Sequence, residues 1–253
     1  MADLICIEGI SKNLGSKPVL SGLSFTLRAG EVATLIGQSG SGKTTLLRCI
    51  SGLHRVDEGR IVLENKAAIT PHSGEGELAR FRQSVGYVFQ DFHLWPHKTV
   101  LENVALAPTV AKGIPKEAAV AKALFLLSKL GLKDKADEYP ASLSGGQKQR
   151  AAIARALAME PKLLLLDEAT SALDPELVAR LALIVRNLAS EGVAVLAVTH
   201  DMGFSADVSN RVLFMEDGKI AESGTPQEVL FSPKGAGTKK FIGACLARDG
   251  EGR

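Results

Sequence analysis

The sequence predicts an α/β fold with a largely parallel sheet, on three observations. Short apolar runs alternate with helical patterns along the chain, the rhythm of strands joined by crossover helices. Three runs, residues 32–36, 163–166 and 193–199, are apolar on both faces, as strands covered by helices on both sides must be. Each is followed by Gly-rich or polar residues, where an open α/β sheet binds its ligands.

Taken in order, the first thirty residues are punctuated by Gly15, Gly22 and Gly30 and read as antiparallel strands. A helix is expected over 43–50. Residues 93–159 are mostly helical in pattern, with 116–130 amphipathic and stopped by Gly131. They read as a helical subdomain inserted into an α/β core made of residues 1–92 and 160–253, the whole forming a single domain. Asp174 before Pro175 is an N-cap with proline at the first helical position, opening a helix over 175–188. Another helix is expected at 202–209. Residues 211–224 read as an antiparallel pair turned at Glu216-Asp217-Gly218-Lys219. Thr225-Pro226-Gln227-Glu228 is a capping box that would open a further helix. The Gly- and Lys-rich tail after Ser232 reads as loosely held.

Composition narrows the function classes. With 45% hydrophobic residues and a net charge of 30 − 28 = +2 over 253 residues, the chain is unlike disordered proteins. Its densest apolar stretches fall far short of the ~20 residues that span a bilayer, so membrane contact is expected only through a partner. No basic excess argues for nucleic acid, and none is expected as a partner. Cys6, Cys49 and Cys245 are too scattered for a disulfide framework or a metal site. The first ten residues, with Asp3 and no long apolar core, are not a secretory signal. A reducing cytosol is the expected compartment.

Gly37-Gln38-Ser39-Gly40-Ser41-Gly42-Lys43-Thr44 fits the phosphate-loop pattern G-x-x-x-x-G-K-[ST], between an expected strand and an expected helix. The chemistry needs these residue types. Glycines let backbone N–H groups converge on phosphate oxygens, and the helix N-terminus adds partial positive charge. Lys43 can reach the β- and γ-phosphates, and the Thr44 hydroxyl can hold Mg²⁺. A Gly-rich turn with an incidental lysine would explain the motif but not its context. This loop is expected to bind a nucleotide.

Residues 163–166 run into Asp167 and Glu168 at the end of a buried strand, the end that faces the phosphate loop in such folds. Asp167 is the expected Mg²⁺ partner. Glu168 is placed to polarise the attacking water. Alone, the pair could equally be solvated loop acids.

Leu143-Ser144-Gly145-Gly146-Gln147 has a local explanation, since Ser144 and Gln147 form a capping box for the helix that follows. A cap does not need two consecutive glycines, which weaken a first turn. They make sense if a phosphate approaches the exposed N–H groups of Ser144, Gly145, Gly146 and Gln147 from outside.

With these motifs in hand, the chain resembles the ATP-binding subunit of an ABC transporter over essentially its whole length. The ordered set is residues 37–44, Gln90, residues 143–147, the acid pair ending at Glu168, Ser171-Ala172-Leu173-Asp174 and Thr199-His200. The resemblance implies a P-loop ATPase core with an N-terminal antiparallel β subdomain and the inserted helical subdomain. It implies ATP and Mg²⁺ as ligands and a head-to-tail homodimer. Each ATP would lie between one subunit's Gly37–Thr45 segment, Thr45 included, and the other's Ser144 to Gln147. By the same carry-over Gln90 senses Mg²⁺ or water and links to the membrane partner, His200 contacts the γ-phosphate, and Asp174 belongs to the loop that crosses the interface. Asp174 can cap its helix as well, since the two roles are compatible.

Two departures stand out. The family carries an adenine-stacking aromatic near position 14, where this chain has Leu14, so base contact would be apolar packing. Proline usually follows the acid pair, and here it is Ala169, which would loosen the turn without removing a catalytic group.

Residues 88–104, 171–176, 200–204 and 211–218 are similar to the corresponding stretches of polar amino-acid importers. The implied role is an ATP-hydrolysing, energy-coupling subunit, peripheral on the cytoplasmic face of the cell (inner) membrane. It would bind transmembrane permease subunits and serve a solute-binding protein indirectly. Methionine and phosphonate importers share parts of the pattern, exporters would have the same ATP site, and a soluble non-transport ABC ATPase is the remaining alternative. Phe92, Leu94, Trp95 and Pro96 form an apolar cluster in which Trp95 reads equally as core and as partner contact.

Overall fold

The computed structural model describes residues 3–171 and 173–250, with side chains through 245. β1 (Asp3–Leu14) and β2 (Lys17–Arg28) pair antiparallel, and β4 (Glu58–Leu63) with β5 (Ala67–Ile69) completes a four-stranded sheet in the order β2-β1-β4-β5. The second sheet has six strands in the order β10-β9-β3-β8-β7-β6. Its strands are β3 (Val32–Ile36), β6 (Val85–Val88), β7 (Leu163–Asp167), β8 (Ala194–Val198), β9 (Arg211–Glu216) and β10 (Lys219–Gly224). All pair parallel except the edge pair β9–β10.

The continuous apolar runs hide a period of two. Leu163 and Leu165 of β7, with Ala194, Leu196 and Val198 of β8, face a core shared with β1, β2 and helix α1 (Lys43–Ile50). Leu164, Leu166, Val195 and Ala197 face the opposite core, because successive strand residues point to opposite sides. That second core is filled by α3 (Val100–Lys112), α4 (Lys116–Lys129), α5 (Gly145–Ala158), α6 (Pro175–Ser190) and α7 (Met202–Val208). The short helix α2 (Glu75–Arg82) packs Leu78 and Phe81 into the first.

The expected turn at residues 216–219 is present, with Asp217 and Gly218 at φ 47° and 74°, the doubly positive pair a tight hairpin requires. Gly131 follows α4 at φ 65° as the expected stop. The capping box at Thr225 and Glu228 forms, but it opens a single π turn, Gln227–Phe231, in place of the expected helix. The expectation of a loosely held tail is wrong. The chain after Ser232 forms α8 (Ala236–Gly250), and Phe241 and Ile242 are buried with Ile36, Met202, Val212, Phe214, Val229 and Leu230. Two adjacent apolar residues anchor the helix although its sequence shows no long stripe. Among the described residues no helix is long and apolar enough to cross a membrane.

Candidate nucleotide site

The strand register builds the site. Val88 of β6 pairs with Leu166, Asp167 with Val198, and Leu35 of β3 with Val198. The C-terminal ends of β6, β7, β8 and β3 therefore lie side by side. They deliver Gln90, Asp167-Glu168, Thr199-His200 and the loop from Gly37 to one edge, the crevice where open α/β sheets hold ligands.

Gly37 begins the loop at φ 151°, and a Cβ there would lie 2.2 Å from the Met215 carbonyl oxygen, so only glycine fits. Gly42 closes it at φ 106° against the Val19 carbonyl. The loop is braced from outside by Gly218, whose N–H donates to the Ser41 carbonyl at 3.2 Å. Lys43 is buried, and its Nζ donates to the carbonyls of Gly37 and Gln38 at 2.8 Å each. Burial lowers the Lys43 pKa, and the nearby Glu168 and Asp167 act against that shift. The Ser41 hydroxyl is buried with no partner among the described residues. A buried ammonium beneath converging N–H groups can neutralise phosphate oxygens.

Thr44 Oγ1 donates to Asp167 Oδ1 at 3.1 Å, and the Tyr87 hydroxyl donates to Asp167 Oδ2 at 2.8 Å. Burial raises the Asp167 pKa, while the Tyr87 and Thr44 hydrogen bonds pull it down. Burial, then the Asp167 charge, holds the Tyr87 phenol well above its ordinary value. A hydroxyl and a carboxylate side by side are the hard oxygen donors a magnesium ion takes.

Glu168 sits in the left-handed region at φ 52°, pinned by its N–H to the Val198 carbonyl and by the Ser171 hydroxyl to its own carbonyl. Ala169 is buried, so the turn that lacks the expected proline is held by these bonds. His200 Nε2 lies 3.1 Å from Glu168 Oε1. Gln90 is exposed in the turn after β6 and makes no side-chain hydrogen bond among the described residues.

Ser144 caps α5: its hydroxyl accepts from the Gln147 N–H, and the Gln147 side chain accepts from the Ser144 N–H at 2.8 Å. Gly145 is exposed at the helix start. Gly146 has a different reason to be glycine than an approaching phosphate: a Cβ there would lie 2.3 Å from Leu177 Cδ1 of α6. Asp174 Oδ1 accepts from the Leu177 N–H at 2.9 Å as the cap of α6. Ala172 of the same loop lies outside the described residues. Within one chain, residues 144–147 make no hydrogen bond to residues 37–45 among the described residues. Leu14 is exposed at the end of β1 beside the β1–β2 turn. The same hairpin reaches the phosphate loop through Val19 and Leu20.

Sequence reasoning missed several residues. Tyr87 is legible only as a polar residue on a buried strand next to the acid pair. Arg155 of α5 donates to the Phe92 carbonyl at 2.7 Å and to the His93 carbonyl, both residues at positive φ, and its guanidinium lies 5.6 Å from the Trp95 ring centre. Asn103 is fully buried and holds the Trp95 backbone, accepting from its N–H at 2.8 Å. Trp95 itself is 37% exposed, so it is a surface residue and not core.

The sequence profile of the ABC transporter family matches residues 20–171. The chain is 46% identical over 250 residues to an arginine transport ATP-binding protein of Corynebacterium glutamicum, covering 96% of this chain and 98% of that one. It is 44% identical over 243 residues to a glutamine transport ATP-binding protein of Bacillus subtilis, covering 96% and 99% respectively. Among solved structures, a dimeric ATP-binding cassette in a post-hydrolysis state with ADP and Pi superimposes with a TM-score of 0.80. It is 32% identical and covers 88% of this chain and 98% of its own.

Proposed function

The chain belongs to the ABC transporter family as an ATP-binding subunit, and we propose that it powers an importer for a polar amino acid. It is an ATPase, splitting ATP to ADP and phosphate. The observation that carries the site reading is the convergence, at adjoining strand ends, of the Lys43 loop, the Thr44–Asp167 pair and the Glu168–His200 pair.

In this reading residues 37–45 hold the phosphates, with Lys43 opposite the β- and γ-groups. Thr44, Asp167 and Gln90 hold Mg²⁺, and the donor set fits a hard cation. Bound there, the ion neutralises charge on the phosphate oxygens. Glu168 accepts the proton of the attacking water, and His200 orients that carboxylate and meets the γ-phosphate. Leu14 packs on the base. Residues 144–147, with Asp174 of the adjoining loop, face the nucleotide of a second copy in a head-to-tail homodimer. Their separation from residues 37–45 within one chain supports this, as does the likeness to a dimeric cassette. Residues 93–159 are the helical subdomain, set in a core of 1–92 and 160–253.

The relatives' names, arginine and glutamine transport ATP-binding proteins, support the substrate class. The exposed Trp95 beneath Arg155 is the proposed contact with a transmembrane permease, and in this reading the chain is peripheral at the cytoplasmic face. A separate solute-binding protein selects the cargo, and Mg·ATP closure of the dimer drives the permease.

The test is to tag the chain in its native cell, solubilise membranes gently and identify what co-purifies. A small multi-span permease, with uptake of a labelled polar amino acid lost on deleting the chain, is expected. Recovery with ribosomes or nucleic acid, or alone in the soluble fraction, would overturn the transport reading.

A further inference from the structure

The helix that replaces the expected loose tail lies against the nucleotide site. We propose that Lys240 of α8 is a further phosphate-facing cation, one that favours a nucleoside triphosphate over a diphosphate; the inference rests on the ATP-site reading above.

A cavity of about 550 Å³ opens between the phosphate loop and α8. Gln38, Ser39 and His200 line one side, and Lys240, Phe241 and Cys245 line the other. The site thus has a second wall that none of the sequence motifs describes.

That wall is fixed to the strand that feeds the loop. The buried Phe241 ring lies 5.5 Å from Phe214. Phe214 of β9 pairs with Ile36 of β3, and Ile36 immediately precedes Gly37. At the start of the helix Glu222 accepts from the N–H groups of Lys234 and Gly235 at 2.8 and 3.0 Å. Gly237 sits so close to the Glu216 carboxylate that a Cβ would meet it at 2.4 Å. A side chain one turn further on therefore stays at the edge of this cavity.

Lys240 is exposed and makes no ion pair or hydrogen bond with any described residue. An ammonium with no partner among the described residues, on a fixed wall across from Ser39 and His200, would face the end of the phosphate chain in this reading. A triphosphate brings an additional charged group to that end, so the attraction of Lys240 is larger for it than for a diphosphate.

The test is equilibrium binding of a non-hydrolysable Mg·ATP analogue and of ADP to the full chain. Wild type would be compared with Lys240→Gln, Lys240→Arg and, on the same helix but outside the cavity, Lys239→Gln. Lys240→Gln is expected to weaken the analogue about three- to fivefold, as a partly exposed charge contact does, and to change ADP binding less than twofold. Lys240→Arg should retain the preference, Lys239→Gln should match wild type, and added salt should shrink the effect. Equal weakening of both nucleotides, or no weakening, would overturn the proposal. Failure of the wild type to bind either nucleotide is a separate outcome, which removes the ATP-site reading and this inference with it.

Discussion

Glu168 and His200, 32 residues apart in sequence, meet at 3.1 Å across the ends of β7 and β8. The carboxylate is aimed there by a backbone held at φ 52°, a conformation that costs a non-glycine residue about 1 kcal/mol or more. Glu168→Gln keeps the shape and the backbone but cannot accept a proton. ATP binding should persist while phosphate release slows by roughly 10²–10⁴, the usual range for losing a general base. Single-turnover phosphate release beside a binding titration checks this. Unchanged turnover would remove Glu168 from the role.

Tyr87 tunes Asp167. Burial raises the Asp167 pKa and the Tyr87 and Thr44 hydroxyls counter it, so Tyr87→Phe should push the carboxyl further up. Its ionised form, the one that holds Mg²⁺, then appears only at higher pH. The acid limb of the Mg²⁺-dependent ATPase profile should move to higher pH, with activity on the alkaline plateau retained. A profile that only scales down, with no displacement, would make Tyr87 a packing residue.

What was legible follows from range. The Asp174 cap and the hairpin at Asp217-Gly218 depend on neighbours within a few residues, and each appears as expected. The partners that shape the site come from far along the chain. Tyr87 reaches Asp167 from 80 residues away, and Arg155 reaches Phe92 from 63; no spacing rule joins them. The tail departs from its expectation for the same reason, since α8 is held by Phe214 and by the Glu222 carboxylate of β10, not by its own periodicity. The second glycine of residues 143–147 reads from sequence only as an exposed N–H, while its packing against Leu177 is invisible until α5 and α6 are docked.

That packing separates folding from function at Gly146. Alanine in a helix gains up to about 1 kcal/mol over glycine, and the atom in its way is the tip of the half-buried Leu177. Gly146→Ala should therefore shift stability by no more than about 1 kcal/mol. The Leu177 tip would still have to turn away, altering the α5–α6 contact beside the Asp174 cap, so ATPase activity should fall at least tenfold. Thermal unfolding beside steady-state turnover reads both. Full activity with an unchanged Tm would mean that the contact is not needed for the working geometry.

Glu222 makes the docking of α8 depend on pH. Burial pushes its pKa up, but the nearby Thr238 hydroxyl, the N–H groups of Lys234 and Gly235 and the Lys234 charge together outweigh that, and the net shift is downward. A depressed folded-state pKa means that the stabilisation is complete above the ordinary value of 4.5 and is lost as pH falls through the lower, folded value. Glu222→Gln removes the charge at every pH. Hydrogen exchange of the α8 amides, corrected for intrinsic rate, should be faster in the variant than in wild type at pH 7. That gap should close as the wild type is taken below the ordinary carboxylate range. If variant and wild type exchange alike at pH 7, the carboxylate does not hold the helix, and the apolar contacts of Phe241 and Ile242 anchor it alone.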